Sequence, residues 1–477
     1  MTLWTRNDVI DATKGRATGS DWTASGVSID SRTLEKGDLF VAIKGENSDG
    51  HAYVANALKS GAAAAMVAQP DQMMEEAGPL VIVPDTLEAL NALGRIARHR
   101  TRARVMAVTG SVGKTGTKEA LKMILSQQGV THASAASYNN LWGVPLSLAR
   151  MPADTQFGIF EIGMNHAGEI TPLSTLVEPF VALITTVEAV HMEFFNSVEE
   201  IADAKAEIFD GLQKGGVAII NRDNPHYERL RKKAEASGAG RIISFGEHPD
   251  ADAHLEKVAL KESCSCVAAS ICGEKVTYKL GVPGRHIVMN SLAMLACVQA
   301  MGADLAMAAL ALGQLEAPKG RGERHLVDAP GRAFMLVDES YNANPASMRA
   351  AIEALGQANP KDRGRRIAVL GDMLELGAES IAMHRDLART LCQAGIDLVF
   401  ASGPHMRELF KSLPAEMQGA YAENSALLQP ALIDAVQQGD VVMVKGSLGS
   451  RMGPVVEALR GLDNDDAENI RRNRGEA

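Results

Sequence analysis

Short apolar runs recur along the chain, each closed by glycine, proline or a polar turn, and stretches with helical spacing separate them. In the first 84 residues the runs at 37–45, 61–67 and 80–83 read as strands, with a helical stretch at 51–59. Apolar spacing over 87–98 predicts a connecting helix. Strand patterns resume at 105–109, 157–162, 181–187 and 216–221, again with helical patterns between them. Such alternation predicts a mostly parallel, doubly wound sheet. Residues 240–282 depart from it. Short alternating segments at 265–270 and 275–280 predict a small antiparallel insertion, before an alanine-rich helix over 288–301. A third unit is expected from 321, with strands at 334–337, 366–370, 398–401 and 441–444. The predicted fold class is α/β in three domains, with boundaries at 1–84, 85–320 and 321–477. They are a small N-terminal α/β domain, a central doubly wound domain and a C-terminal Rossmann-like domain.

The chain has 477 residues and is 46% hydrophobic, enough for several cores. Acids outnumber bases by 58 to 48, a net charge of −10 that gives no sign of a nucleic-acid surface. No run reaches transmembrane length, and the first residues lack the charged and apolar regions of a signal peptide. A cytoplasmic protein not inserted in a membrane is expected. The cysteines number five, an odd count that suits reduced thiols. Cys264-x-Cys266 has no second pair to complete a metal site.

The strongest chemical signal is Val105-Met-Ala-Val-Thr-Gly-Ser-Val-Gly-Lys-Thr-Gly-Thr-Lys-Glu119. A strand ends in a glycine-rich turn, Gly110-Ser111-Val112-Gly113, and a helix opens on Lys114-Thr115-Gly116. Backbone N–H groups at such a helix start face a polyphosphate. Lys114 would reach the outer phosphates and the Thr115 hydroxyl would ligate Mg²⁺. Val108 stands where the general P-loop pattern has its first glycine. Gly116 weakens the first helical turn by up to ~1 kcal/mol, which leaves two explanations open: close approach of a ligand, or of another backbone.

Ligands in open α/β sheets bind beyond the carboxyl ends of strands, so the polar residues there are the other candidates. Glu161 ends one strand and is suited to holding Mg²⁺ or its water shell. Gly163-Met-Asn-His166 follows at the same edge. His191 follows the 181–187 run, where an imidazole would ligate a metal or bind phosphate, although an ordinary loop histidine fits its position equally well. Lys205 lies in a helical run, and spacing alone makes it a surface lysine near Glu207 or Asp203. Asp338-Glu-Ser-Tyr-Asn-Ala-Asn-Pro345 crowds more polar side chains into one turn than a turn requires.

Taken together, these stretches resemble the Mur ligase family, ATP-dependent amide-forming enzymes of peptidoglycan precursor synthesis. The resemblance runs from about Val27 to Ser447. It rests on Asp30-Ser-Arg32, Lys36-Gly-Asp-Leu-Phe-Val-Ala42, Gly45, Thr109-Gly-Ser-Val-Gly-Lys-Thr115 and Tyr138-Asn-Asn-Leu-Trp-Gly-Val-Pro145. Gly163-Met-Asn-His166, His191-Met-Glu193, Lys205, and Gly284-Arg-His286 with Asn290 extend it. Ser340-Tyr-Asn-Ala-Asn-Pro345 and Gly371-Asp-Met-Leu-Glu-Leu-Gly377 are the most specific stretches, resembling the branch that adds D-alanyl-D-alanine.

The resemblance implies a UDP-sugar domain at the N-terminus and a C-terminal domain that takes the incoming dipeptide and closes on ATP. Ser31, Arg32 and Gly45 would hold the UDP-sugar. Asn139, Asn140, Asn165 and His166 would line the path of the peptide acceptor. The loop Gly110, Ser111, Val112, Gly113, Lys114, Thr115 and Gly116 would bind ATP, with Asn290, Arg321, Glu339, Tyr341 and Asn342. Lys114, Glu161, His191 and Lys205 would be catalytic. Thr115, Glu161, His191 and a carbamylated Lys205 would hold Mg²⁺. The implied partners are UDP-N-acetylmuramoyl-tripeptide and D-alanyl-D-alanine, with a monomer expected. Three positions depart from the family pattern: Gly116 replaces the usual second Thr or Ser, Asn196 a common glycine, and Leu448 a common arginine. The rival readings are a sister ligase or folylpolyglutamate synthase, a P-loop switch or motor ATPase, and a non-catalytic UDP-sugar-binding protein.

Overall fold

The computed structural model describes residues 2–45, 48–135, 138–329 and 332–473. Among these, three large sheets follow one another along the chain. The first has five strands in the order Arg16–Ala17, Leu80–Ile82, Ala64–Val67, Asp38–Val41 and Gly26–Ser28, parallel except at the first pair. The third has six, with Glu323–Val327 the antiparallel edge of an otherwise parallel sheet. The described chain is thus α/β throughout, as its alternating pattern predicts.

The central sheet has nine strands, and Arg104–Thr109 lies inside it, between Val181–Ile184 and Phe157–Glu161. Its residues alternate between two cores because successive side chains leave opposite faces of a strand. Met106 and Val108 pack with Ala120, Leu121, Ile124 and Leu125 of the helix Lys114–Ser126, all fully buried. Val105 and Ala107 join Val144, Leu148, Phe160 and Ile184 on the other face. Burying each such aliphatic side chain contributes roughly 1.5–3 kcal/mol, so the strand and helix that frame the glycine loop are firmly held.

Residues 240–282 are not a separate antiparallel insertion. Arg241–Gly246 runs parallel to Val217–Asn221 and continues the central sheet, and Ala253–Leu260 pairs parallel to it in turn. Only Ser265–Ile271 and Glu274–Leu280 are antiparallel. Their alternation arises because one face only is covered: Val267, Ala269 and Ile271 enter the core that holds the helix Arg285–Ala300.

The helix Thr86–His99 joins the first two units and belongs to both. Ala89, Leu90, Leu93 and Ala97 share one cluster with Trp4, Val27 and Leu39 of the first unit and with Leu146 and Ala149 of the central one. Trp4 Nε1 donates to the Ala149 carbonyl at 2.8 Å, and the Arg100 guanidinium stacks 4.1 Å from the Trp4 ring. All five cysteines are free. Among the described residues, no helix is long and apolar enough to cross a membrane.

Candidate active site at the strand ends of the central sheet

The glycine loop is pinned from its neighbouring strand. Gly110 has φ +146°, and a Cβ there would fall 1.9 Å from the Thr185 hydroxyl, so only glycine fits. That hydroxyl donates to the Val112 carbonyl at 2.6 Å. Ser111 Oγ accepts from the Glu188 N–H at 2.9 Å and donates to the Glu188 carbonyl at 3.1 Å. The loop is therefore fixed by bonds to residues 185–188, and the Ser111 hydroxyl is spent on the backbone. Gly113, at φ +89°, opens the helix without a side-chain cap, which leaves the first-turn N–H groups facing outward. Asn290 packs over Gly113, its Nδ2 2.7 Å from where a Cβ would lie.

Around the helix start, polar groups converge from three places. Thr115 Oγ1 donates to Glu161 Oε1 at 3.1 Å, and Asn139 Nδ2 donates to the same oxygen at 2.8 Å. Glu161 is buried, and among the described residues its other oxygen, Oε2, has no hydrogen-bond partner. Arg321, from the linker to the third unit, donates to Thr115 Oγ1 at 3.2 Å and stacks 4.2 Å from the Tyr341 ring. The Lys114 ammonium folds back onto the Gly110 carbonyl at 2.6 Å; burial lowers its pKa, with Glu161 opposing that shift.

Lys205 is not the surface lysine that its spacing suggests. It is 2% exposed, and no hydrogen bond or ion pair to its ammonium is found among the described residues. Burial, then the charge of Lys114, pushes its pKa far below the ordinary lysine value. The spacing argument fails because the helix Val198–Ala206 buries the face that carries Lys205 and leaves Asp203 to pair with Arg229 at 2.7 Å.

His191 has left-handed backbone, φ +56°, and its Nδ1 lies 2.7 Å from Glu375 Oε2 in the third unit. Glu375 is also left-handed, and the imidazole holds its carboxyl below the usual range. Asn165 and His166 share one partner: Glu169 accepts from the Asn165 N–H at 2.8 Å and pairs with His166 Nδ1 at 2.9 Å. Asn140 spends its side-chain oxygen on the Gly143 N–H. Glu339 pairs with Lys445 at 3.2 Å, and Lys445 also donates to the Asn342 carbonyl. Arg32 stands 85% exposed beside Asp30, whose carboxyl it holds below the usual range, and the Ser31 turn lies between them. Gly45 faces the Trp142 ring, 3.6 Å from its Cβ position.

Gly116 resolves one open question. A Cβ there would meet nothing within 4 Å, so no second backbone requires the glycine. It faces instead a cavity of about 590 Å³, lined by Thr115, Gly116, Glu119, Arg321, Tyr341 and the linker residues Gln314 to Lys319. That volume suits a small molecule. Sequence reasoning missed Glu375 as a partner of His191, since nothing local links positions 184 apart.

A glycine loop opening a helix, a buried acid beside it and a basic residue reaching in from the linker to the third unit suit a nucleotide-dependent transferase or ligase. Comparison with known proteins decides between them. Residues 23–109 match the profile "Mur ligase family, catalytic domain", residues 108–298 "Mur ligase middle domain", and residues 320–448 "Mur ligase, glutamate ligase domain". The chain belongs to the Mur ligase family. It is 35% identical to the Escherichia coli UDP-N-acetylmuramoyl-tripeptide–D-alanyl-D-alanine ligase, over 96% of this chain and 98% of that one. The Rickettsia prowazekii ligase of the same name is 33% identical, over 90% and 94%. A solved structure of MurF from Acinetobacter baumannii superposes with a TM-score of 0.84 at 31% identity, covering 96% and 98%. MurF from Thermotoga maritima, solved in complex with ADP, gives 0.77 at 26% identity over 92% and 98%.

Proposed function

We propose that this chain joins the amine of D-alanyl-D-alanine to the terminal carboxylate of UDP-N-acetylmuramoyl-tripeptide, converting ATP to ADP and phosphate. The observation that carries this reading is the convergence of Thr115, Glu161 and Arg321, from three separate segments, on the start of one helix. The first unit takes the UDP-muramoyl group through Ser31, Arg32 and Gly45. Asn139, Asn140, Asn165 and His166 lie along the acceptor path, and the third unit brings the dipeptide. The same reading places the enzyme in the cytoplasm as a monomer, which sedimentation velocity checks.

The substrate carboxylate attacks the γ-phosphoryl group, ADP leaves, and the resulting acyl phosphate is attacked by the dipeptide amine, with phosphate as the second leaving group. The first step brings two anions together. Lys114 exchanges the Gly110 carbonyl for an outer phosphate oxygen and offsets that repulsion, while the outward N–H groups of the helix start hold the remaining phosphates. Arg321, backed by Tyr341, adds positive charge from the linker side, and Asn290, Glu339 and Asn342 border the nucleotide. Holding all the reactants on one sheet edge supplies the proximity that the second step needs.

The donor set fits Mg²⁺. Glu161 Oε2 is buried and has no partner among the described residues, and the Thr115 hydroxyl sits against the same carboxylate. Thr115 and Glu161 would hold the ion, with His191 and a carbamylated Lys205. Burial lowers the Lys205 pKa and so favours the neutral amine, the form that adds CO₂ and gives up a proton to become a carbamate anion. Bound Mg²⁺ supplies charge neutralisation on the phosphates.

The test is phosphate release from ATP with UDP-N-acetylmuramoyl-tripeptide, with and without D-alanyl-D-alanine, read beside product mass. Release that needs both acceptors and yields the pentapeptide is expected, and Lys114→Ala should lower it by roughly 10²–10³. Release indifferent to both acceptors would sink the reading.

A further inference from the structure

The helix Ile170–Val177 begins immediately after the loop that carries Asn165 and His166, and its own N-cap residue, Glu169, does not cap it. Glu169 is turned toward Asn165 and His166 instead. The cap comes from 37 residues further along the chain. One oxygen of the Glu207 carboxylate accepts from the Gly168 N–H at 2.7 Å, and the other accepts from the Ile170 and Thr171 N–H groups, each at 3.1 Å. One half-buried carboxylate thus satisfies three amides of a helix start, where the dipole also favours negative charge.

Glu207 lies two residues beyond Lys205, where the helix Val198–Ala206 passes into the turn Glu207–Gly211. That turn is packed flush on the capped helix: a Cβ on Gly211 would fall 2.1 Å from the Ser174 carbonyl. Ser174 Oγ donates to the Ile208 carbonyl, and Thr171 Oγ1 to Asp210 at 2.7 Å. On its other side the loop touches the His191 turn, where the His166 ring packs 4.6 Å from the Phe194 ring. One short segment therefore directs Lys205 inward and, through Glu207, grips the base of the Asn165–His166 loop.

We propose that Glu207 is a positioning residue, holding the Asn165–His166 loop at a fixed distance from Lys205 so that the peptide acceptor and the buried lysine stay in register. Glu207 touches no substrate. It acts through the amides of Gly168, Ile170 and Thr171. The proposal rests on the functional reading above, in which that loop lines the acceptor path.

The near-isosteric Glu207→Gln keeps the shape but has one oxygen and no charge, so it retains one side of the three-amide grip. Glu207→Ala retains none. Thr171→Val is the control: it removes the hydroxyl bond to Asp210 at the same helix end and leaves all three amide bonds. The expected result is KM for UDP-N-acetylmuramoyl-tripeptide raised about threefold in Glu207→Gln and about tenfold in Glu207→Ala, with KM for ATP and the Thr171→Val parameters moving less than twofold. Hydrogen exchange of a peptide spanning 163–176 should quicken in both Glu207 variants and not in the control. If Glu207→Ala does not fold, Glu207→Gln alone decides. Unchanged acceptor KM and exchange in Glu207→Gln overturn the proposal, as does an equal fall in all kinetic parameters, which would make the glutamate merely structural. Wild-type protein inactive toward the tripeptide would overturn the functional reading instead, and the exchange result would still report whether the clamp exists.

Discussion

The two seams of this molecule are built from different materials. Between the first and central units the seam is a shared core, in which Trp4, Leu90 and Leu93 are packed with Leu146 and Ala149. Two arginines reinforce it: the buried Arg98 donates to the Val177 and Glu178 carbonyls at 2.8 and 3.0 Å, and the half-buried Arg150 donates to the Val27 carbonyl. Between the central and third units the described side-chain hydrogen bonds include Arg321 to Thr115, His191 to Glu375, and Arg324 to the Glu262 carbonyl at 2.7 Å. The buried clusters of the third unit contain no residue before Val327. Apolar burial resists any change of pose, whereas a few half-exposed hydrogen bonds exchange with water at little net cost. The first two units should therefore move as one body, with the third swinging against them.

The largest test of that contrast is Trp4→Ala, which empties a fully buried site and strands the Ala149 carbonyl. A loss of about 3–5 kcal/mol is expected, with the first and central units unfolding in one transition by both fluorescence and far-UV dichroism. Two separated transitions would mean that the seam does not bind the units together.

Acid gives the next effect. His132 donates from Nε2 to the Ser147 carbonyl at 2.7 Å, on the helix that forms this seam, and burial pushes its imidazole down to about 4 from an ordinary 6.5. Between those values the unfolded chain binds a proton that the folded chain refuses. This contribution leaves stability unaffected above pH 6.5, then removes roughly 3 kcal/mol as the pH falls to about 4. Denaturant midpoints across that window should show the slope, and His132→Gln should flatten it.

On the polar seam, Arg321→Ala should raise KM for ATP by about five- to tenfold, roughly 1 kcal/mol, while the melting temperature holds. Glu375→Gln removes the carboxylate of a half-exposed pair, so a stability change below ~1 kcal/mol is expected, together with a wider spread of poses in small-angle scattering. Gly116→Ala acts in the opposite direction: its Cβ meets no neighbour among the described residues, and it should stabilise by about 0.5–1 kcal/mol. A melting temperature lowered by any of these three would blur the distinction between the seams.

Much of the frame was legible because its determinants are local. The apolar run 105–109, the glycine turn and the helix after it are contiguous, and Glu161 was marked by its place at a strand end. The errors have local causes too. Residues 265–280 alternate because one face is open, which a short window does not distinguish from a separate hairpin. Lys205 reads as a surface lysine until tertiary packing covers its helix face. What sequence could not disclose is long-range: Trp4 with Ala149, Glu207 with Gly168, and His191 with Glu375 lie 145, 39 and 184 positions apart. No periodicity encodes such pairs.

The linker residues Gln314 to Lys319 are both the tether of the third unit and one wall of the cavity beside Gly116. In the function proposed above, nucleotide occupancy and interdomain angle draw on the same few backbone torsions, and thermodynamic reciprocity ties them together. Whatever factor ATP applies to the closed population, a device that enforces closure must apply to ATP affinity. A crosslink joining the Arg324 and Glu262 positions would therefore act as an effector, although neither residue lines that cavity.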